Sequence, residues 1–197
     1  MLFFLRYLKF YFSRFSRSIF GERMMKKSLK VEILAAQTEQ ELRGIEKIAQ
    51  EIWREYYPSM ISPDQIEYML KRGYSIEVMK RELNDGVHYD QLFVDDLFSG
   101  YCAYGPDGEP GTLKLHKLYL KPSVHGFGLG QKLLTHVRNY AQQAGFERIL
   151  LQVNKYNARA IAAYKRFGFN IREANTFDIG EGFFMDDFVM ELCLREN

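Results

Sequence analysis

Two apolar periods alternate along this chain and mark out its elements. Val31 to Leu34 is a short apolar run of strand length. Leu42, Ile45, Ala49, Ile52, Trp53 and Tyr56 then recur at helical spacing, behind Thr38 and Glu41 set as a capping box. Ser62-Pro63-Asp64-Gln65 starts a second helix with proline at its first position, leading into Ile66, Met69 and Leu70. A third helix near Ser75 to Leu83 stops at Asn84-Asp85-Gly86. Tyr89 to Val94 and Phe98 to Tyr104 read as a hairpin around Asp95-Asp96. The loop Gly105 to Gly111 then leads to an apolar and aromatic strand at 112–120, closed by Pro122.

Past that proline, His125-Gly126-Phe127-Gly128-Leu129-Gly130 separates the strand from a helix with Leu129, Leu133, Leu134, Val137 and Tyr140 on its apolar face. Ile149 to Val153 is a buried strand. After a polar turn, Asn157 is placed to cap a short helix that carries Tyr164 and stops at Gly168. The predicted order is strand, two or three helices, three strands, helix, strand, helix and two strands. No repeat, low-complexity tract or linker long enough for a second domain interrupts it.

Composition narrows the class. A chain of 197 residues, 47% hydrophobic and 26% charged, is an ordinary globular domain with enough length for a proper core. A net charge of +2 without an aromatic-plus-basic module argues against nucleic acid. Cys102 and Cys193 lie far apart in apolar runs, which predicts two buried, reduced thiols in a cytoplasmic protein. The four histidines show no ligand spacing, so no metal is expected.

Residues 1–27 form a distinct extension, rich in Phe, Leu and Tyr yet carrying Arg6, Lys9, Arg14, Arg17 and Arg23. No apolar run there approaches the roughly 20 residues that span a bilayer, and no small-residue cleavage site follows. Two readings stand: a non-native extension ahead of a start at Met24 or Met25, or a basic segment on a membrane surface through residues 1–24. The domain proper is 28–197.

Three glycines at a strand-to-helix turn let N–H groups converge at the positive end of a helix, which suits a phosphate or pyrophosphate. The spacing G-x-G-x-G is neither the dinucleotide fingerprint nor a P-loop, and alone it reads equally as a helix start with packing glycines. Residues 148–169 change that balance. Strand, GxGxG, helix, strand, NxxAxxxY and GF together resemble the GNAT family of acetyl-coenzyme A-dependent N-acetyltransferases, strongly over 112–192 and back to about residue 30. The tail Gly182-Phe183-Phe184-Met185-Asp186-Asp187-Phe188-Val189-Met190 is similar to the last strand of a bacterial subgroup acting on polyamines and other small amines.

The resemblance implies an α/β (α+β) fold. Its central sheet is mixed and mostly antiparallel, with six to seven strands and about four flanking helices. Strands 112–120 and 148–153 splay around the acyl-coenzyme A site. Backbone groups of Leu118, Tyr119 and Leu120 would hold the pantetheine arm. N–H groups of Gly126, Phe127, Gly128, Leu129, Gly130 and Gln131, with His125 before them, would hold the pyrophosphate. Asn157 would touch pantetheine or cap its helix. The Leu118 N–H would face the oxyanion, and Tyr164 would protonate the leaving thiolate. Outside this motif, Tyr164 reads as an aromatic packing a helix on the sheet.

Two positions depart from the family. Many relatives place a glutamate four residues before the position of Leu118, where this chain has Lys114. An alkylammonium at pH 7 is deprotonated to about one part in a few thousand, so a base is needed. His116 shares a face with Lys114 and Leu118 by period two, and is the candidate base; a structural histidine is the alternative. Asp186 or Asp187 would bind a cationic amine or sit in a solvated turn, and Glu77 is a weaker choice. Trp53, Tyr56, Tyr57 and Tyr68 either wall the acceptor cleft or pack. The second departure is His125 and Ser123, where relatives carry Arg or Gln; weaker coenzyme A affinity is expected.

The expected function is transfer of an acetyl group from acetyl-coenzyme A to a primary amine by direct attack. The acceptor is a small cationic amine, or a protein amine. The alternative is a sensor or partner module that binds acyl-coenzyme A with little or no transfer. Monomer and homodimer both fit.

Overall fold

The computed structural model describes residues 29–194, so the extension at 1–27 lies outside the described residues. In chain order the elements are β1 (Val31–Ala35), α1 (Glu39–Tyr56), α2 (Pro63–Tyr74), α3 (Ile76–Asn84), β2 (His88–Val94), β3 (Leu97–Pro106) and β4 (Thr112–Leu120). Then come α4 (Leu129–Gln143), β5 (Arg148–Asn154), α5 (Ala158–Phe167), β6 (Asn170–Gly180) and β7 (Phe183–Cys193). Five α-helices form among the described residues, the third near Ser75 as its spacing predicts: Ser75 ends α2 in extended backbone, and its hydroxyl accepts from Val78 N to cap α3. The capping box of Thr38 and Glu41 is present at the start of α1.

The sheet has seven strands in the order β1-β2-β3-β4-β5-β7-β6, antiparallel at every pairing except β4 with β5. Helices α1–α3 cover one face, packing Leu42, Ile45, Trp53, Ile66 and Met79 in one core with Tyr101 of β3. Helices α4 and α5 cover the other, where Leu133, Val137, Leu113, Leu115, Ile149 and Leu151 are packed. Covering both faces explains why β3 and β5 read as nearly continuous apolar runs. Cys102 is buried, but Cys193, at the end of β7, is exposed, contrary to expectation. Among the described residues, no helix is long and apolar enough to cross a membrane.

One irregularity shapes the site. Ala103 pairs with Lys117 and Tyr104 with Leu115, so His116 has no opposite residue and forms a β-bulge. Parity reverses across it. Leu113, Leu115, Leu118 and Leu120 all pack on the α4–α5 side, while Tyr119 packs on the α1–α3 side. The period-two face joining Lys114, His116 and Leu118 therefore does not exist in the folded strand. Lys117 is buried instead against α3, donating to Glu82 Oε2 at 2.6 Å and to the Tyr89 hydroxyl at 2.5 Å. Lys114 pairs with Asp107 at 3.3 Å.

Candidate active site

Strands β4 and β5 pair only from Thr112 with Arg148 to Leu115 with Leu151. Beyond that point β4 follows β3 to Leu120, and β5 follows β7 to the pair Asn154 and Asp187. A bulge bends the strand that carries it, and His116 sits where the two strands part. The gap opens a cavity of about 920 Å³ bounded by both strands, the start of α4, α5, and α1–α2.

The glycine turn forms one end of this cavity. Gly126 and Gly128 have φ of +90° and +75°, and nothing lies near where a Cβ would stand, so backbone conformation rather than packing demands glycine. Gly128 caps α4 without any side-chain bond, leaving first-turn N–H groups free of a capping side chain. Gly126, Gly128, Leu129, Gly130 and Gln131 line the cavity. Phe127 lies outside its wall and is exposed. The amide of Gln131 donates to Ala163 O at 3.1 Å, tying α4 to α5. An uncapped helix start, facing a cavity and built on glycine, fits a diphosphate.

Leu118, Tyr119 and Leu120 line the cavity on the edge of β4 that β5 has left. His125 Nε2 donates to Leu120 O at 2.9 Å, so that carbonyl is engaged from within the chain. Asn157 caps α5 at Ala160 N (3.2 Å), and its Oδ1 also receives the Tyr56 hydroxyl at 3.1 Å, joining α1 to α5. Tyr164 lines the same space, its ring edge-on to Phe169 at 5.7 Å, and burial pushes its hydroxyl up to about 12. His116 also lines it. Its Nε2 is buried without a partner, and burial, then Lys117 and Lys114, push its imidazole down to about 4.

The remaining candidates separate by strand parity. Asp186 bonds Lys155 and the Thr176 hydroxyl (3.0 Å). Asp187 turns the other way, lines the cavity at 6% exposure, and leaves Oδ1 without a hydrogen-bond partner. Burial, then the neighbouring Asp186, push Asp187 up to about 6. Trp53, Tyr56 and Tyr57 line the cavity, with Trp53 stacked on Tyr57 at 4.4 Å; Tyr68 instead donates to Ile179 O. Glu77 is exposed and outside the wall. Gln152 and Asn154 also line it, two polar residues that no motif in the sequence singles out. Their alternation with Ile149, Leu151 and Val153 was the available signal.

The Acetyltransferase (GNAT) family matches residues 45–169, more than half of the chain. The chain belongs to this family. Its relatives include an uncharacterized N-acetyltransferase of Mycobacterium bovis, 37% identical over 83 residues, or 42% of this chain and 53% of that protein. The chain thus spans about half the length of the first curated relatives it matches. The spermidine N(1)-acetyltransferase of Thermoplasma acidophilum is 23% identical over 157 residues, 77% of this chain and 91% of that protein. Among solved structures, the PaiA N-acetyltransferase of Thermoplasma acidophilum in complex with coenzyme A superposes with a TM-score of 0.67. It is 22% identical, over 85% of this chain and 99% of that one. The yncA protein from Salmonella typhimurium, solved with acetyl-CoA, gives 0.62 at 22% identity, over 85% and 96%.

Proposed function

We propose that the protein is an N-acetyltransferase that carries an acetyl group from acetyl-coenzyme A to a primary amine, the acceptor being a small cationic amine. The observation that carries this reading is the parting of β4 from β5 beside an uncapped, glycine-built helix start. Two relatives solved with coenzyme A or acetyl-CoA support it.

Bound there, acetyl-coenzyme A supplies the thioester. The first-turn N–H groups of α4 hold the diphosphate, and Leu118 and Tyr119 present backbone groups to the pantetheine. Leu118, just past the bulge, is the donor to the carbonyl oxygen that gains charge. Tyr164 stays protonated across the neutral range and donates to the departing sulfur. A thiol in water titrates near 8.5, but a buried thiolate is destabilised too, which narrows the gap to the phenol. His116 is uncharged at neutral pH, and with its imidazole near 4 it is a poor acceptor for an ammonium proton. Hydrogen bonding within the cavity is the better use of its buried Nε2.

The test is coenzyme A release from acetyl-coenzyme A with spermidine, an amino-sugar antibiotic and a peptide with a free N-terminal alanine. Release that depends on acceptor, strongest with spermidine, is expected. Calorimetric binding of acetyl-coenzyme A without release to any acceptor would sink the transferase reading and leave a binding module.

A further inference from the structure

The gap between β4 and β5 joins the two faces of the sheet, and they differ chemically. Helices α4 and α5, with the glycine turn, lie on one face. On the other, Trp53, Tyr56 and Tyr57 of the α1 region make an aromatic wall. Strand β7 presents Met185 and Asp187 to that second face, where Gln65 of α2 donates to Phe184 O at 2.7 Å and to Met185 Sδ at 3.5 Å. Asp186 points away, held by Lys155.

Asp187 is therefore a carboxylate that is 6% exposed, lines a cavity, and has one oxygen with no donor. Buried polar atoms are nearly always bonded, so this one marks a place for a donor from outside the chain. Lys155, the lysine whose charge reaches Asp187, is engaged by Asp186. A cation with N–H groups satisfies the oxygen, and the aromatic rings lining the same cavity favour the same charge. We propose that Asp187 holds the acceptor's ammonium group and takes its first proton, so that the acceptor is a primary alkylammonium. This rests on the acetyltransferase reading and names the base that reading lacks.

The step balances as follows. One ammonium proton passes to the Asp187 carboxylate, and the freed nitrogen lone pair attacks the thioester carbon, forming C–N. The C–S bond breaks, and sulfur leaves with the electron pair and takes a proton from Tyr164. Of the two protons the nitrogen sheds on the way to an amide, one replaces that of Tyr164 and one reaches solvent. The charges that act on Asp187 are Asp186 on its own strand and Lys155 after β5, and the other titratable groups on the cavity are Asp178 on β6, Arg72 on α2, Arg159 and Arg166 on α5, and the imidazoles of His116 and His125. With its carboxyl near 6, Asp187 is ionised at pH 7, and it is a base about a hundredfold stronger than His116.

The experiment compares the intact protein with Asp187→Asn. It measures calorimetric affinity for spermidine and propylamine in the presence of coenzyme A, and kcat/KM for the amine from pH 5 to 10. In the parent, kcat/KM is expected to rise through about pH 6 and then stay level until the amine itself loses its proton. In the variant the level region becomes a climb of about tenfold per pH unit, as free amine becomes the reactant. At pH 7 its kcat/KM falls about a hundredfold. Amine affinity falls at least roughly tenfold. Acetyl-coenzyme A affinity within about twofold of the parent confirms the fold. Equal amine affinity and an unchanged pH profile in the variant overturn the assignment, as does a parent that binds neither amine. A parent that binds amines through Asp187 but never turns them over overturns the transferase reading and leaves the ammonium site standing.

Discussion

Leu115 on β4 and Leu151 on β5 are the last residues the two strands share. Past them, β4 is positioned within the sheet by β3 alone, and Gly100 is the critical contact. A Cβ there would lie 2.5 Å from Tyr119 O and 3.1 Å from Leu120 Cα, both backbone atoms that cannot rotate away. Gly100→Ala should displace the edge of β4 that faces the gap. We expect a loss of about 1–3 kcal/mol in stability and a KM for acetyl-coenzyme A several-fold higher, with kcat less affected. Denaturant melts and steady-state kinetics check this; an unchanged KM would mean that the edge holds no pantetheine.

Gly130 lies in the first turn of α4, in helical backbone, with only Leu120 Cδ1 near its Cβ position at 3.7 Å. Alanine is the better helix former by up to about 1 kcal/mol, so Gly130→Ala should raise the melting temperature. Its methyl group would stand where the helix meets a diphosphate, so acetyl-coenzyme A should bind more weakly. Opposite signs in thermal stability and in calorimetric affinity are the signature of a backbone cradle. A stabilised variant with unaltered affinity would place the diphosphate elsewhere.

Tyr164→Phe removes a hydroxyl and little else, since the ring keeps its packing on Phe169. We expect kcat to fall by about a hundredfold or more, with KM for acetyl-coenzyme A nearly unchanged. Single-turnover kinetics separate this from slow product release. A variant that retains full kcat would return Tyr164 to a packing role.

Features set by neighbouring residues were legible in the sequence. The capping box at Thr38, the helix starts at Ser62 and near Ser75, and the cap at Asn157 involve partners within three residues, and each is present in the structure. The glycine turn was legible for the same reason. Features set by register between strands were not. The bulge at His116 exists only because Ala103 meets Lys117 and Tyr104 meets Leu115, a relation between strands that no single-strand period contains. Without it, period two puts His116 on the face of Leu118. The alternatives Asp186 and Asp187 stay open in the sequence for the same reason, because adjacent residues on a strand point to opposite faces and only the place of β7 in the sheet says which lines the cavity.

Lys117 carries a buried charge between the bulge and Leu118, with Glu82 as its counter-ion and the rings of Tyr74 and Tyr89 beside it at 5.3 and 5.0 Å. Burial pulls the ammonium below its ordinary range, while Glu82 holds it up. Removing one partner of such a pair strands the other. Glu82→Gln should therefore cost about 3 kcal/mol, whereas Glu82→Gln with Lys117→Met should recover most of it. Urea unfolding of the single and double variants measures the difference. Additive losses would show that the pair is not coupled.

Asp187 should weaken the fold it serves, and the sign follows from its titration. Its carboxyl titrates near 6 in the folded chain and near 3.9 when unfolded, so the folded state binds more protons between those values. Stability then falls as pH rises from about 4 to 6 and stays lower above, by about 2–3 kcal/mol. Asp187→Asn removes the ionisation and keeps the shape. The variant should match the parent near pH 4 and exceed it by about that amount at pH 8. Urea titrations at the two values decide it. A variant weaker than the parent at pH 8 would make the carboxylate a structural anchor, because a group held ionised for a substrate should stabilise the protein when it is neutralised.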